Sequence, residues 1–571
     1  MRLYPTILTV LANLALPASL LAADGEDPTL SAMLSAGAER RLTAEAYAEG
    51  PAGLLAAAAG IERFPVVCAT PLLLPGDRGA PPASEAWRQA IAALAAPAPL
   101  PDAGILVTRD GRFTVRYPAS TALAGRLGAD ETPESVLRLA EALSAARAWL
   151  VDTLGYPDPS PGPASISVEL VPLGRGLEGF VLPARPGPQA TAPSIVLDAA
   201  LPDDRLMPAA LHQVAHLSLI QAARTEAWWH EATAAWLTLV ATGDFEAQRD
   251  GLHARLQKSS MGLPSDGLRL MQGTLLFPLF LAERTGDPAV VRQAWDDLAA
   301  GAADPLQAVD AVLRRSYGLG LSSALREKAI WDLFTGDRDD RLHYSLARAM
   351  PEASLEPVGP SLPLRLGPVG PVEPTGSVAF RLPAERTRGT LDLALTAEGG
   401  RPAADLLVFL QGAGSPILVP VPMEGGAGRV SIPWGEAKEA WIVLRNEAES
   451  REGGASRFDL QAINNLFAPF DLAAFTAEAI GRSVVVQWTT AAEKGLVAWN
   501  VYRAERPDGP FSRLNSVAVP AYGDGDAETG YVFVDDGARA GRRYYYQVEG
   551  ITSAGLVERS HLASVRTAGT R

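Results

Sequence analysis

One cysteine in 571 residues rules out an intramolecular disulfide, so each domain has to be held by its own apolar core. Histidine is also scarce, with six in the whole chain. Basic residues are outnumbered, 50 Lys and Arg against 65 Asp and Glu, and the formal net charge of -15 is spread without a basic cluster. That balance argues against nucleic acid or an anionic membrane surface as partner. Long apolar runs are missing from the body of the chain. The run Leu275 to Leu281 is too short to span a bilayer and reads as a buried core helix.

What is present is ordinary globular material. Hydrophobic residues make up 47% and charged residues 20%, and 571 residues exceed what one core serves, so several domains are expected. The N-terminus reads as an export signal over 1–23. Arg2 precedes an apolar stretch from Tyr4 to Leu16, Pro17 breaks it, and Ser19 to Ala23 supply small residues for cleavage after Ala22 or Ala23. The alternative is a buried or anchoring helix, against which the short run and its small-residue end both speak. No stable membrane span is expected once the signal is removed. A secreted chain without disulfides suits a bacterial cell envelope or extracellular setting.

Residues 24–103 are Ala-rich with helical spacing at Leu30, Met33 and Leu34 and at Trp87, Ile91 and Leu94, interrupted by prolines, and read as a helical prodomain-like or packing segment. Cys68, within VVCATPLLL, reads there as a small buried hydrophobe and not as a reactive thiol. From 104 to 350 the pattern is mixed. Strands are expected at Phe113 to Tyr117, Ile166 to Val171 and Ser194 to Asp198, with a helix over Glu134 to Leu154, and the second half is mainly helical. Seven prolines between Pro351 and Pro374 read as a stiff linker over 351–376. Beyond it the hydrophobic period changes to two. Residues 377–465 read as an antiparallel β-sandwich, and 467–568 as a second β module.

The stretch LHQVAHLSLIQAARTEAWWHEATAAW, Leu211 to Trp236, carries the candidate chemistry. His212 and His216 stand four apart, so on a helix their imidazoles share a face and can converge on one ion. Glu231 follows on a second helix among small residues that permit close approach. His230 is expected to point away from Glu231, and Glu226 to sit in the turn between the helices. Tyr317, His253 and His343 are available as oxyanion-stabilising groups, but no spacing selects one, and each reads as structural by default. Asp198, Asp203 and Asp204 read as solvated turn carboxylates, since no calcium-loop pattern surrounds them.

With these residues the sequence resembles the glutamate-zincin metallopeptidases, whose signature is His-Glu-x-x-His followed by a glutamate ligand on the next helix. It is most similar to secreted bacterial members carrying W-x-x-E-G-x-A-x-W. Trp228, Glu231, Ala234 and Trp236 match that run, and Ala232 replaces its glycine. The resemblance implies a zincin-like α/β metallopeptidase domain over 104–350, with His212, His216 and Glu231 as ligands of Zn2+ and a fourth position left for water. The family's general base falls on Gln213. An amide can orient a water but cannot hold its proton, so peptidase turnover, to which such a base contributes about 10² to 10⁴, is expected to be largely lost. Three readings follow: a zinc-binding pseudopeptidase with a peptide or protein ligand, a working hydrolase whose base is Glu226 or His230, and a metal-free scaffold. A different class of function is surface binding or adhesion through the β modules. The last hundred residues resemble fibronectin type III modules, with Trp488, Trp499, Tyr502, Tyr544 and Tyr546 expected in or beside the core.

Overall fold

The computed structural model describes the chain from Ala103 to Ala568 apart from short intervals, the longest being 119–131, 185–191 and 383–389, together with Cys68 and Thr70. The expected signal segment and nearly all of 24–103 lie outside the described residues. The chain divides into two compact units. One runs to Ser354 and includes Glu449–Glu452, and the other comprises Leu355–Ala448 and Gly453–Arg571.

The first unit is built on a mixed five-stranded sheet. Strand β1 (Ala103–Val107) pairs antiparallel with β2 (Phe113–Pro118), which runs parallel to β3 (Ile166–Val171). Next comes β5 (Ser194–Asp198), parallel to β3, and β4 (Gly179–Leu182) closes one edge antiparallel to β5. Phe113, Val115, Ile166 and Val168 alternate inward along β2 and β3, the period-two burial that forms a pleated strand. In β5, Ile195, Val196 and Leu197 are all buried, as expected of a strand covered on both faces. Strands β1 and β4 were not anticipated. The first exposes Ile105 and Val107, and the second is only four residues long, so neither gives a strong periodic signal.

Helix α1 (Glu134–Ala148) passes into a π-helical turn at Trp149–Thr153. Strand β5 then leads into α2 (Asp203–Ala222), and a four-residue connection leads to α3 (Ala227–Thr242). Every residue of α2 from Ala209 to Leu219 is buried, so this helix is enclosed on all sides and not laid amphipathically on a surface. Helix α3 ends at Gly243, whose φ of 65° lets its N–H reach the Leu239 carbonyl at 2.8 Å. The remainder is helical through α4 (Arg249–Gln257), α5 (Leu268–Gly273), α6 (Leu276–Thr285), α7 (Ala289–Ala299), α8 (Pro305–Val312) and α9 (Leu321–Trp331). Among the described residues no helix is long and apolar enough to cross a membrane.

The second unit contains two β-sandwiches. In the first, one sheet is ordered β11 (Ile417–Val421), β10 (Pro402–Leu410), β14 (Ala437–Asn446), β8 (Ser377–Leu382), β6 (Glu356–Pro357). The other is ordered β12 (Met423–Glu424), β13 (Ala427–Pro433), β9 (Thr390–Glu398), β15 (Ser456–Asn465), β7 (Leu364–Val372). Leu391, Leu393, Leu406, Val408, Ile442, Trp434 and Phe458 fill the space between them. The Pro-rich interval is therefore not a free linker over its whole length. Strand β7 lies inside it and pairs with β15 at a sheet edge, where a proline without an N–H removes no ladder bond that the core needs.

The last module places β16 (Phe470–Ile480), β17 (Ser483–Glu493) and β21 (Thr529–Asp535) in one sheet. Strands β18 (Leu496–Ala504) and β22 (Arg543–Thr552), with the short β19 (Ser512–Arg513), β20 (Val519–Pro520), β23 (Val557–Arg559) and β24 (Ala563–Arg566), form the other. It is a fibronectin type III-like sandwich. Trp488, Trp499, Tyr531, Tyr544 and Tyr546 are buried between its sheets, and Tyr502 is half-buried, donating its hydroxyl to Glu549 at 2.9 Å.

Candidate metal centre

The α2–α3 pair positions the site. On α2 the four-residue spacing brings the His212 and His216 rings to a centroid separation of 4.8 Å, with their Nε2 atoms 3.2 Å apart. Glu231, on α3, points its Oε2 between them, 3.1 Å from His216 Nε2 and 3.5 Å from His212 Nε2. All three side chains are buried. Ala232, Ala234 and Ala235 beside Glu231 are fully buried as well, so their small side chains let α3 sit close.

A fourth donor comes from an unexpected place. Cys68 Sγ lies 3.6 Å from His216 Nε2, and one donor atom from each of Cys68, His212, His216 and Glu231 lies within 4.8 Å of the others. Cys68 is buried, as the sequence reading has it, and its sulfur also stands beside the other three donors. The three separations among His212, His216 and Glu231 and the one from Cys68 to His216, 3.1 to 3.6 Å, are those of a tetrahedral metal shell. With zinc bonds of 2.0–2.1 Å to nitrogen or oxygen and about 2.3 Å to sulfur, the edges of a tetrahedron are about 3.3 Å between nitrogen or oxygen donors and about 3.6 Å to sulfur.

The tautomer of His212 follows from its neighbour. Thr238 spends its hydroxyl proton on the Ala234 carbonyl at 2.8 Å, so across the 3.4 Å to His212 it can only accept, from Nδ1–H. In the neutral ring that leaves Nε2 unprotonated and aimed at the other donors, the usual outer support of a ligating histidine. His216 Nδ1 has no hydrogen-bond partner among the described residues.

The electrostatics suit a cation. Burial and Glu231 push the Cys68 thiol up, but His212 and His216 outweigh them and hold it at about 6. Burial raises the Glu231 carboxyl and the two histidines pull it down to about 2. Burial lowers His212, while Glu231 and Cys68 lift it to about 10; His216 is raised too, by Cys68 and Glu231 against its burial. Two buried anions thus draw protons onto both imidazoles. A divalent ion replaces those protons and leaves the group neutral.

Gln213 does not face an open position. Its Oε1 accepts from Thr70 Oγ1 at 3.1 Å, and its Nε2–H points at Cys68 Sγ at 3.5 Å. The substitute bases lie elsewhere. His230 packs edge-on against Trp295 at 4.8 Å, and burial and His216 hold it at about 3, while Glu226 accepts from Trp228 Nε1 at 3.0 Å. Tyr317 donates to Asp287 at 2.8 Å, His343 stacks on Phe334 at 4.4 Å, and His253 is exposed; none belongs to the donor group. Asp198 accepts from Ala200 N–H in its own turn and from Leu173 N–H after β3, Asp203 pairs with Arg138 at 2.7 Å, and Asp204 is exposed at the start of α2.

No family model matches the chain, and no curated protein matches it in sequence. Among solved structures, a Fn3-like protein from Clostridium thermocellum is 22% identical over 18% of this chain and 95% of that one, with a TM-score of 0.14. The FN1-FN3 domains of chicken CNTN1 are 16% identical over 30% of this chain and 57% of theirs, with a TM-score of 0.14. Pectate lyase Pel3 from Pectobacterium carotovorum is 20% identical over 17% of this chain and 27% of that one, with a TM-score of 0.13. The chain spans only part of the latter two, and likenesses at such TM-scores carry no argument about activity. The site has to be read from its own chemistry.

Proposed function

We propose that this chain is an exported, multidomain zinc-binding protein on a zincin-like metallopeptidase scaffold that has lost proteolysis. One observation carries the reading: four buried donor atoms lie within 4.8 Å of one another, with a neutral amide at the position of the general base. His212, His216, Glu231 and Cys68 would hold the ion. When bound, Zn2+ supplies charge neutralisation for two buried anions and, in open sites, polarisation of a water.

Proteolysis is opposed by what the residues can do. Gln213 cannot take a proton, and its amide is engaged by Thr70 and Cys68. His230, packed on Trp295, and Glu226, bonded to Trp228, are poorly placed to replace it, which weighs against a working hydrolase. A metal-free scaffold would keep the Glu231 carboxylate buried against two imidazoles, with no ion to offset the cost of its burial. The mixed sheet leading into the histidine helix, and the glutamate on the next helix, support the zincin-like assignment. The N-terminal apolar stretch supports export to the bacterial envelope or medium, and a peptide or protein is the proposed partner class.

Wild type assayed on a broad peptide library, with equimolar zinc and after chelation, tests the loss of activity. Background cleavage in both states is expected. Chelator-sensitive turnover in wild type overturns the assignment as a pseudopeptidase.

A further inference from the structure

Cys68 and Thr70 come to the site along the sheet edge. Cys68 forms a parallel β-bridge with Gly179 of β4, and Val181 N–H of the same strand donates to Thr70 Oγ1 at 3.0 Å. Thr70 in turn donates to Gln213 at 3.1 Å. Two N–H groups point at the sulfur, Thr70 N at 3.4 Å and Gln213 Nε2 at 3.5 Å. Without metal the thiol can donate to Thr70 Oγ1 at 3.2 Å; a sulfur that also faces two amide donors and lies 3.6 Å from an imidazole nitrogen is in a polar setting where a thiolate and a metal bond can replace that proton.

We infer that the Cys68 thiolate is the fourth protein ligand of the metal, and that the sulfur–metal bond latches the Cys68–Thr70 segment onto the edge of β4. This rests on the reading that the group holds a metal. Four protein ligands make the site closed, the arrangement of structural zinc centres, whereas catalytic centres keep one position for water. The inference also accounts for Gln213. A glutamate there would set a carboxylate against the thiolate and give the ion-bearing group a net negative charge in a buried place. The amide instead offers an N–H to sulfur. The replaced base and the added ligand are therefore two parts of one arrangement, and the metal ties Cys68 to the α/β domain where a catalytic site would hold water.

The test uses the full-length protein with Co2+ in place of zinc. Wild type is expected to show visible d–d bands of a tetrahedral site together with a near-ultraviolet thiolate-to-metal charge-transfer band. Cys68→Ser is expected to keep the d–d bands, lose the charge-transfer band, and bind at least about tenfold more weakly, since outer-shell changes alone cost 10–100-fold. Cobalt bound with d–d bands but without charge transfer in wild type overturns the inference and leaves metal binding standing. No cobalt uptake by wild type removes the metal reading itself.

Cys68 is the only cysteine, so a thiol reagent reports on it alone and gives a second measurement that needs no variant. Labelling of the folded wild-type protein is expected to accelerate at least about tenfold when the metal is chelated, as the latch is released. Equal rates with and without metal overturn the latch.

Discussion

Gln213→Glu separates a damaged active site from a matched pair. The new carboxylate would lie where the amide now stands, with Cys68 Sγ 3.5 Å from Nε2 and 3.8 Å from Oε1. Two unit charges about 4 Å apart repel by about 4 kcal/mol at the effective dielectric of 20 that describes protein sites, and a bound cation reduces but does not cancel this. The coupling between positions 213 and 68 is therefore expected at about 2 to 4 kcal/mol. It is read from a double-mutant cycle of denaturant unfolding at fixed excess zinc, using wild type, Gln213→Glu, Cys68→Ser and the double variant. Gln213→Glu should be markedly destabilising with Cys68 in place and much less so in the Cys68→Ser background. Peptide cleavage should stay at background in both single variants and rise only in the double variant, by up to about 10² to 10⁴, when a base and a free coordination position are present together. Additive stabilities would refute the reasoning, as would peptidase activity from Gln213→Glu alone.

Thr238→Val removes the acceptor that orients His212 Nδ1 and is expected to weaken zinc binding about 10–100-fold with the fold intact, measured by competition with a chromogenic chelator. Unchanged affinity would dismiss Thr238 as a support. Gly273→Ala would place a Cβ 2.0 Å from the Gly251 carbonyl oxygen, where α4 and α5 touch backbone to backbone, so it should cost about 1–3 kcal/mol, and more than Gly251→Ala, whose nearest approach is 3.0 Å. Thermal melts rank the two, and the reverse order would contradict this packing. Asp158 accepts from Arg147 and from Ser160 N–H; burial raises its carboxyl, but these bonds outweigh it and hold the group below its ordinary range. A depressed carboxylate contributes stability above its unfolded value and loses it as pH falls through the folded one. Solvent screens this partly exposed pair, so Asp158→Asn should cost about 1 kcal/mol at pH 7, with the gap closing below about pH 4. A gap that widens on acidification would be evidence against it.

The parts of the site written in local spacing were legible in the sequence. His212 and His216 share a helix face by arithmetic alone, and the small residues around Glu231 announce a close second helix. Cys68 was not legible, because its place depends on a β-bridge to Gly179, a contact between distant residues that leaves no period in the sequence. Its neighbours in VVCATPLLL are apolar, so composition pointed to a core filler. The strands of the β modules were readable where alternation is strong, as in Val484 to Thr490. Strand β7 was hidden because prolines mark an edge strand and a linker alike. Gln213 departs from the resembled motif in a way the sequence displays, but the cysteine it faces lies 145 residues away and could not be read from local spacing.

Metal content after purification without added zinc tests the central claim most directly. Elemental analysis of wild type should find one divalent ion, chiefly zinc, per chain, and His216→Ala, with the same circular dichroism, should hold none. Wild type and His216→Ala that are both folded and equally free of metal would contradict the account.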